Sequence, residues 1–194
     1  MILATVALLP TARIAHAQGV TQRGNDFIKG VGDQLVAVVN GADPEQQKRQ
    51  KLTQIVDGSV DVDGVAKFCL GRFWRSASPQ QQQNYMALFH QVLVNNITSK
   101  LGEYRGVHFT MVRAQQRDDT VVVSTIVERP NNPPTNVDWI VSNAASDPKI
   151  IDVVAEGTSL RLTQRSDYAS YLSHNNESID ALLNAMRQQV AQAG

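Results

Sequence analysis

Residues 107–129 read VHFTMVRAQQRDDTVVVSTIVER, and in this stretch the spacing of apolar residues changes from a helical period to a strand period. The pair Asp118-Asp119 separates two β-rich runs, which predicts a hairpin. We therefore expect two antiparallel strands, over 107–116 and 120–129. The second run is apolar on both faces, which is typical of a central strand covered on both sides.

Two more strands follow the hairpin in the sequence. The segment from Pro130 to Pro134 forms a connection, and strand patterns then occupy 135–143 and 149–163. Four sequential strands with short links predict an antiparallel meander.

The clearest helix precedes the sheet, over residues 79–101. Ser78 is a suitable N-cap, Pro79 suits the first helical position, and Gln81 completes a capping box. Gly102 is the expected C-cap. The helix carries a continuous apolar face made of Tyr85, Leu88, Phe89, Val92, Leu93, Ile97 and Leu101.

Apolar stripes predict further helices over 21–40, from Pro44 onward, over 61–70 and over 177–191. Three glycines weaken the first of these, because glycine disfavours a helix interior; they are Gly24, Gly30 and Gly32. Helices first, sheet second and one closing helix make an α+β pattern. We expect a helical part over about 21–105, a sheet over about 107–165 and a C-terminal helix over about 177–191.

Composition narrows the class of protein without naming a chemistry. The chain has 194 residues, of which 42% are hydrophobic and 19% charged, as in an ordinary globular domain. Its 18 basic and 18 acidic residues balance, so no basic field attracts nucleic acid. A single cysteine, Cys69, excludes a disulfide framework within the chain.

The N-terminus resembles an export signal. A short apolar run over residues 2–9 is followed by Ala15-His16-Ala17, a small-x-small pattern that predicts cleavage after Ala17. The exported chain would then span 18–194 as one domain. The alternative interpretation of this segment is an ordinary N-terminal helix.

Metal and nucleophile motifs are missing from the sequence. His90, His108 and His174 lie far apart, which disfavours a metal site. Gly30-Val31-Gly32 lacks the third glycine of a dinucleotide loop. Cys69 stands in an apolar helix, so we interpret it as a buried thiol rather than a nucleophile.

Two acidic residues leave a catalytic interpretation open. Asp152 and Glu156 lie four apart in the predicted strand, so both should point to the same face. They form either a solvated or salt-bridged face, with Arg161 and Arg165 as partners, or a pair of catalytic carboxylates.

Several motifs together resemble a known family. Residues 68–75 read FCLGRFWR around a Gly-Arg-aromatic-Trp centre. Further matching segments are Tyr104-Arg105-Gly106, Val137-Asp138-Trp139, 149–153, 156–160 and 163–166. The chain resembles the MlaC family of periplasmic phospholipid-binding proteins, also called toluene-tolerance proteins, which has a hopanoid-associated branch. It departs from the family at Pro148, where a tryptophan is usual, and this affects the expected entry into the last strand.

The resemblance implies a periplasmic lipid carrier that is not an enzyme and has no cofactor or metal. The expected fold is a curved, NTF2-like antiparallel sheet with a helical subdomain, enclosing an apolar cavity for acyl chains. The implied ligand is a phospholipid, or a hopanoid in the hopanoid branch. The implied partners are an outer-membrane lipoprotein–porin complex and an inner-membrane ABC transporter with its periplasmic MCE-domain protein. Contact with membranes would occur only through these partners, in a system that maintains outer-membrane lipid asymmetry.

We expect the cavity to be lined by apolar residues of both halves of the chain: Phe73, Trp74, Phe89, Val92, Leu93, Val123, Trp139, Val141 and Val153. Tyr104 and Arg165 are expected near its mouth or in a supporting polar network. Two acyl chains hold roughly 30 methylenes, worth about 24 kcal/mol on leaving water, and the bilayer supplies a similar term. A shuttle therefore needs a dry cavity that matches the membrane. Two alternatives remain open at this point, an NTF2-like enzyme using Asp152 or Glu156, and an assembly partner without a ligand.

Overall fold

A computed structural model describes residues 11–192, with side chains from residue 18 onward. The apolar run of the predicted export signal, over 2–9, lies outside the described residues, and cleavage after Ala17 stays a prediction. Among the residues described, no helix is both long and apolar enough to cross a membrane.

The first half of the chain is helical, as the apolar stripes predict. Its elements are α1 (Thr11–Asn40), α2 (Glu45–Ser59), α3 (Val62–Leu70), α4 (Phe73–Ser76), α5 (Pro79–Thr98) and a 3-10 helix (Leu101–Tyr104). The capping box at the start of α5 is confirmed, with Ser78 and Gln81 exchanging both hydrogen bonds. The expected C-cap at Gly102 is wrong, because α5 ends at Thr98 and Gly102 lies inside the 3-10 helix.

The sheet is an antiparallel meander with strand order β1-β2-β3-β4-β5. The strands are β1 (His108–Arg117), β2 (Thr120–Glu128), β3 (Thr135–Ser142), β4 (Lys149–Ala155) and β5 (Thr158–Ser159). The pairing register shifts once between β1 and β2 and once between β3 and β4. Irregularities of this kind bend strands, and the sheet is curved. As predicted, β2 lies between two strands, and consecutive residues Val121, Val122 and Val123 are all buried.

The predicted fourth strand over 149–163 is wrong beyond Ala155. Glu156 and Gly157 both have positive φ, 48° and 79°, and turn the chain back into the two-residue strand β5. Ser159 then caps a new helix, α6 (Leu160–His174), by accepting a hydrogen bond from the Leu162 N–H. The sheet therefore has five strands rather than four and ends at Ser159 rather than near residue 165. The closing helix is confirmed as α7 (Ile179–Gln192).

Buried side chains form two separate clusters. The helical cluster joins α3, α4, α5, α6 and α7 around Tyr85, Leu172 and Leu183. The sheet cluster joins α1 to the sheet through Ile28, Val31, Val121, Val123 and Val141. Each half of the molecule thus has its own apolar core.

Candidate functional site

One face of the sheet turns toward α1, and we call it the inner face. The register places Val121 opposite Val141, Val123 opposite Trp139, and Thr125 opposite Val137. Because directly paired residues share a face, these six side chains lie together on the inner face. Val121 lies against Gly24 of α1, which confirms that this face meets the helix.

Burial differs among the side chains of the inner face, and Thr125 and Val137 are buried as well as the residues near the β1–β2 turn. Near the β1–β2 turn, Val121 and Val141 are 1% and 0% exposed. Further along, Trp139 and its partner Val153 are only partly buried, as are Phe109 and Val127 at the far end. We take the partly buried Trp139 and Val153, on β3 and β4 beside α1, as the floor of a candidate apolar cleft. Over β1 and β2, α1 packs directly on the inner face through Gly24 and Gly32.

The cleft is lined by partly buried apolar side chains from helices and strands. The partly buried apolar side chains that pack against the sheet cluster come from α1 (Phe27 and Leu35), from α2 (Ile55) and from the sheet (Phe109, Met111, Trp139 and Val153). The rings of Phe109 and Trp139 meet edge to face, with centroids 6.2 Å apart. Apolar surface that a core leaves partly uncovered inside a cleft suits a long apolar ligand.

The polar groups of the inner face satisfy each other. Trp139 donates from Nε1 to Thr125 Oγ1 at 2.9 Å, and this hydroxyl donates to the Val137 carbonyl at 3.1 Å. Thr125 is 1% exposed, so the pair supplies a buried partner to an indole that would otherwise lack one. An apolar ligand that packs against Trp139 therefore meets no unpaired indole N–H.

The structure separates the predicted lining residues into two groups. Val123, Trp139, Val141 and Val153 come together in the sheet cluster, where Val123 and Val141 are fully buried and Trp139 and Val153 are partly buried. The helical candidates lie in the helical cluster instead: Phe73, Trp74, Phe89, Val92 and Leu93. There, the Tyr85 ring packs against those of Trp74 and Phe89, with centroids 6.5 Å and 5.8 Å apart.

The two expected polar candidates lie far from each other in the fold. Tyr104 ends the 3-10 helix just before β1 and carries the guanidinium of Arg129 over its ring at 4.9 Å. Arg165 lies on α6, where its guanidinium stacks on Phe68 at 4.8 Å and donates to the Phe68 carbonyl. Arg165 thus belongs to the junction of α3 and α6.

The prediction that Asp152 and Glu156 share a face is wrong, because β4 ends before Glu156. Asp152 pairs with Ile140 on the outer face and accepts hydrogen bonds from Ser159 Oγ at 2.6 Å and the Arg161 N–H at 3.2 Å. Glu156 lies in the following turn and accepts from the Asn136 N–H at 2.6 Å. Asp152 Oδ2 also lies 3.4 Å from Arg161 Nε, which confirms the salt-bridge interpretation for this residue. Both carboxylates thus have structural partners outside the cleft.

Cys69 is confirmed as a buried residue, 1% exposed within the helical cluster. Burial raises the pKa of its thiol to about 12, so the thiol stays protonated at neutral pH. Within residues 18–192, no group of three metal-binding side chains comes together.

Sequence reasoning missed the part of the cleft built by α1. Phe27 and Leu35 belong to the apolar stripe of the predicted first helix, and Phe109 and Met111 alternate along the first strand. The apolar periodicity of both segments is visible in the sequence. Periodicity predicts that a face is buried, but it does not distinguish a closed core from the wall of a cleft.

Fold and candidate site together define a class of protein: an α+β protein whose first helix packs on one face of a curved antiparallel sheet and leaves apolar side chains there partly buried. Residues 29–188 match the model of the MlaC protein family, so the chain belongs to the MlaC family.

Two relatives extend this assignment. The chain is 24% identical to the toluene tolerance protein ttg2D of Pseudomonas putida, over 99% of this chain and 90% of that protein. The fold is similar to that of a phospholipid-binding protein from Ralstonia solanacearum, solved in complex with a phospholipid. That comparison gives a TM-score of 0.74 and 25% identity, and covers 88% of this chain and 98% of the other.

Proposed function

We propose that this protein is a periplasmic carrier that holds the acyl chains of a phospholipid in the cleft between α1 and the inner face of the sheet. The observation that carries the proposal is the partial burial of Phe109, Trp139 and Val153 on a face that points into the molecule. A ligand that covers this surface gains about 0.8 kcal/mol per buried methylene. The phospholipid bound to the Ralstonia solanacearum protein of the same fold supports this ligand class.

The wider role that we propose is shuttling between the outer and inner membranes. In this role the carrier exchanges lipid with an outer-membrane lipoprotein–porin complex and an inner-membrane ABC transporter with its MCE-domain protein. The similarity to a toluene tolerance protein supports a role at the cell envelope. Transfer, rather than storage, requires that the cleft bind the chains about as well as a bilayer does.

We propose that the protein is a carrier and not an enzyme. An acid–base enzyme in this cleft would need a carboxylate or imidazole within hydrogen-bonding reach of a ligand there. Asp152 and Glu156, the two candidates, face other partners outside the cleft.

The first experiment is native mass spectrometry of the protein purified from its own periplasm, with lipid extraction of the same sample. A diacyl phospholipid at fixed stoichiometry is the expected result. A polycyclic triterpenoid in place of the phospholipid would leave the proposed binding site unchanged and would show that the ligand is a hopanoid. An empty protein that also takes no lipid from vesicles would contradict the carrier proposal.

A substitution in the cleft tests where the lipid lies. Val153 points into the cleft beside Trp139, whereas its neighbour Val154 lies on the outer face opposite Asp138. We expect Val153→Phe to fill part of the cleft and lower bound lipid several-fold, while Val154→Phe leaves lipid content unchanged. Circular dichroism and thermal melting establish that both variants fold. Equal lipid content in the two folded variants would place the lipid elsewhere.

A further inference from the structure

We propose that Arg129, held over the ring of Tyr104, binds the phosphate of the lipid headgroup at the mouth of the proposed cleft. This inference rests on the proposed function, because it takes the acyl chains to lie in the cleft. It assigns the specificity of the carrier to one side chain at the mouth.

Arg129 stands where the inner face ends. Val127 lies on that face opposite Phe109, and Arg129 follows it by two residues, directly beyond the end of β2. Alternation along the strand keeps Arg129 on the same side as Val127. A ligand with its chains against Phe109 and Trp139 therefore has its polar end near Arg129.

The local backbone fixes the position of Arg129. Its carbonyl accepts a hydrogen bond from the Asn132 N–H at 3.2 Å, which closes a turn behind it. The next residue, Pro130, packs on Gly106, whose φ of 79° and lack of a side chain permit this approach: an added Cβ would lie 2.9 Å from Pro130 Cγ. The turn that presents Arg129 is thus held against the start of β1.

The Tyr104 ring is positioned by the C-terminus of α1. Asn40 accepts a hydrogen bond from the Gly106 N–H at 2.7 Å and donates to the Val107 carbonyl at 3.2 Å. These two bonds fix the segment that follows Tyr104. The ring then supports the face of the Arg129 guanidinium at 4.9 Å and leaves its edge N–H groups free.

Arg129 has no acidic partner within the described part of the chain, unlike Arg72 and Arg161. Arg72 pairs with Glu177, and Arg161 lies beside Asp152. Glu156, at the same end of the sheet, is bound to the Asn136 N–H. An unpaired, stacked guanidinium at the mouth of an apolar cleft fits a phosphate, which accepts two parallel N–H bonds.

The test measures headgroup preference within one sample. Protein is incubated with vesicles that contain both dioleoylphosphatidic acid and dioleoylglycerol, which share acyl chains and differ in the phosphate. The ratio of the two lipids bound to the reisolated protein is then measured by mass spectrometry. We expect Arg129→Gln to lower the preference for the phospholipid about 10-fold, as one lost charged hydrogen-bonding partner should.

Three further variants serve as controls. Arg117→Gln removes an exposed arginine at the opposite end of the sheet and carries the same change in net charge, so its preference should equal that of the wild type. Tyr104→Leu removes the ring under the guanidinium and should lower the preference for the phospholipid. Tyr104→Phe keeps the ring and should have the same preference as the wild type.

The outcomes separate this inference from the proposed function. If the wild type takes up neither lipid, the proposed function fails. If the wild type prefers phospholipid and Arg129→Gln keeps that preference, the headgroup assignment is overturned while the carrier stands. If Arg129→Gln loses both lipids equally, Arg129 is structural and the assignment is also overturned. If inorganic phosphate binds at Arg129 without any change in lipid preference, the site serves free phosphate rather than a headgroup.

Discussion

At the scale of single residues, burial decides the chemistry of the ionisable groups in the helical cluster. Cys69, Tyr85 and Tyr168 are all buried there, and desolvation raises the pKa of each above its ordinary value. Tyr85 also donates its hydroxyl to the Ala66 carbonyl at 2.9 Å. These groups are therefore neutral core residues at physiological pH.

The raised pKa of Cys69 predicts a loss of stability in base. The folded-state pKa of about 12 exceeds the ordinary value of 9.0, so the unfolded chain releases this proton first as pH rises. The contribution is fully present below pH 9.0 and is lost between pH 9.0 and about 12, with a slope of up to about 1.4 kcal/mol per pH unit. Urea unfolding between about pH 8 and about pH 9.5, where tyrosines with their ordinary pKa of 10.0 still contribute little, measures this slope.

Cys69→Ala is the matched variant for this measurement. It should unfold with a shallower dependence on pH over the same interval, because the titrating group is gone. Identical slopes for the wild type and the variant would show that the thiol is not the cause.

At the scale of elements, α1 depends on glycine for its close approach to the sheet. A Cβ added at Gly24 would lie 2.8 Å from Val121 Cγ1, and one at Gly32 would lie 2.5 Å from the Phe109 ring. A Cβ added at Gly30, in contrast, would meet nothing within 4 Å. The same residue type thus has a packing role at two positions and none at the third.

This difference predicts opposite effects of the same substitution. Gly24→Ala should lower the free energy of unfolding by about 1–3 kcal/mol, because Val121 is fully buried and has little room to move. Gly30→Ala should raise it by about 0.5–1 kcal/mol, because alanine favours a helix and meets no neighbour. Chemical denaturation of both variants measures the contrast, and a stabilised Gly24→Ala would show that α1 lies further from the sheet.

At the scale of the whole molecule, the buried apolar residues form two clusters, and the proposed function assigns the ligand to the sheet cluster. The helical cluster packs around its own aromatic side chains, and the sheet cluster contains the partly buried Trp139 and Val153 of the proposed cleft. The two tryptophans of the chain report on the two clusters separately, since Trp74 lies in the first and Trp139 in the second.

Brominated acyl chains test this division. In Trp74→Phe the remaining Trp139 should be quenched when the protein is loaded with phospholipid brominated on its chains, because the chains contact the floor of the cleft. In Trp139→Phe the remaining Trp74 should keep its fluorescence. Stronger quenching of Trp74 would move the acyl chains to the helical cluster, where Phe73, Val92 and Leu93 also lie.

Most of the fold follows from local sequence signals, because helices, strands and their ends depend on neighbouring residues. The capping box at Ser78, the hairpin at Asp118-Asp119 and the closing helix are examples that the structure confirms. The helix α6 was missed because Thr158, Ser159 and the apolar residues around them match a strand pattern, and only the turn at Glu156 and Gly157 ends the strand.

Periodicity and contiguous motifs are sufficient to predict the α+β class, the order of most elements and the family resemblance. The tertiary structure was needed to show which apolar faces pack against each other. It grouped Trp139 and Val153 with α1, put Phe89 and Val92 in the other cluster, and turned Asp152 and Glu156 toward structural partners. The physical reason is that an apolar stripe specifies that a face will be buried, while its partner depends on contacts between segments far apart in the chain.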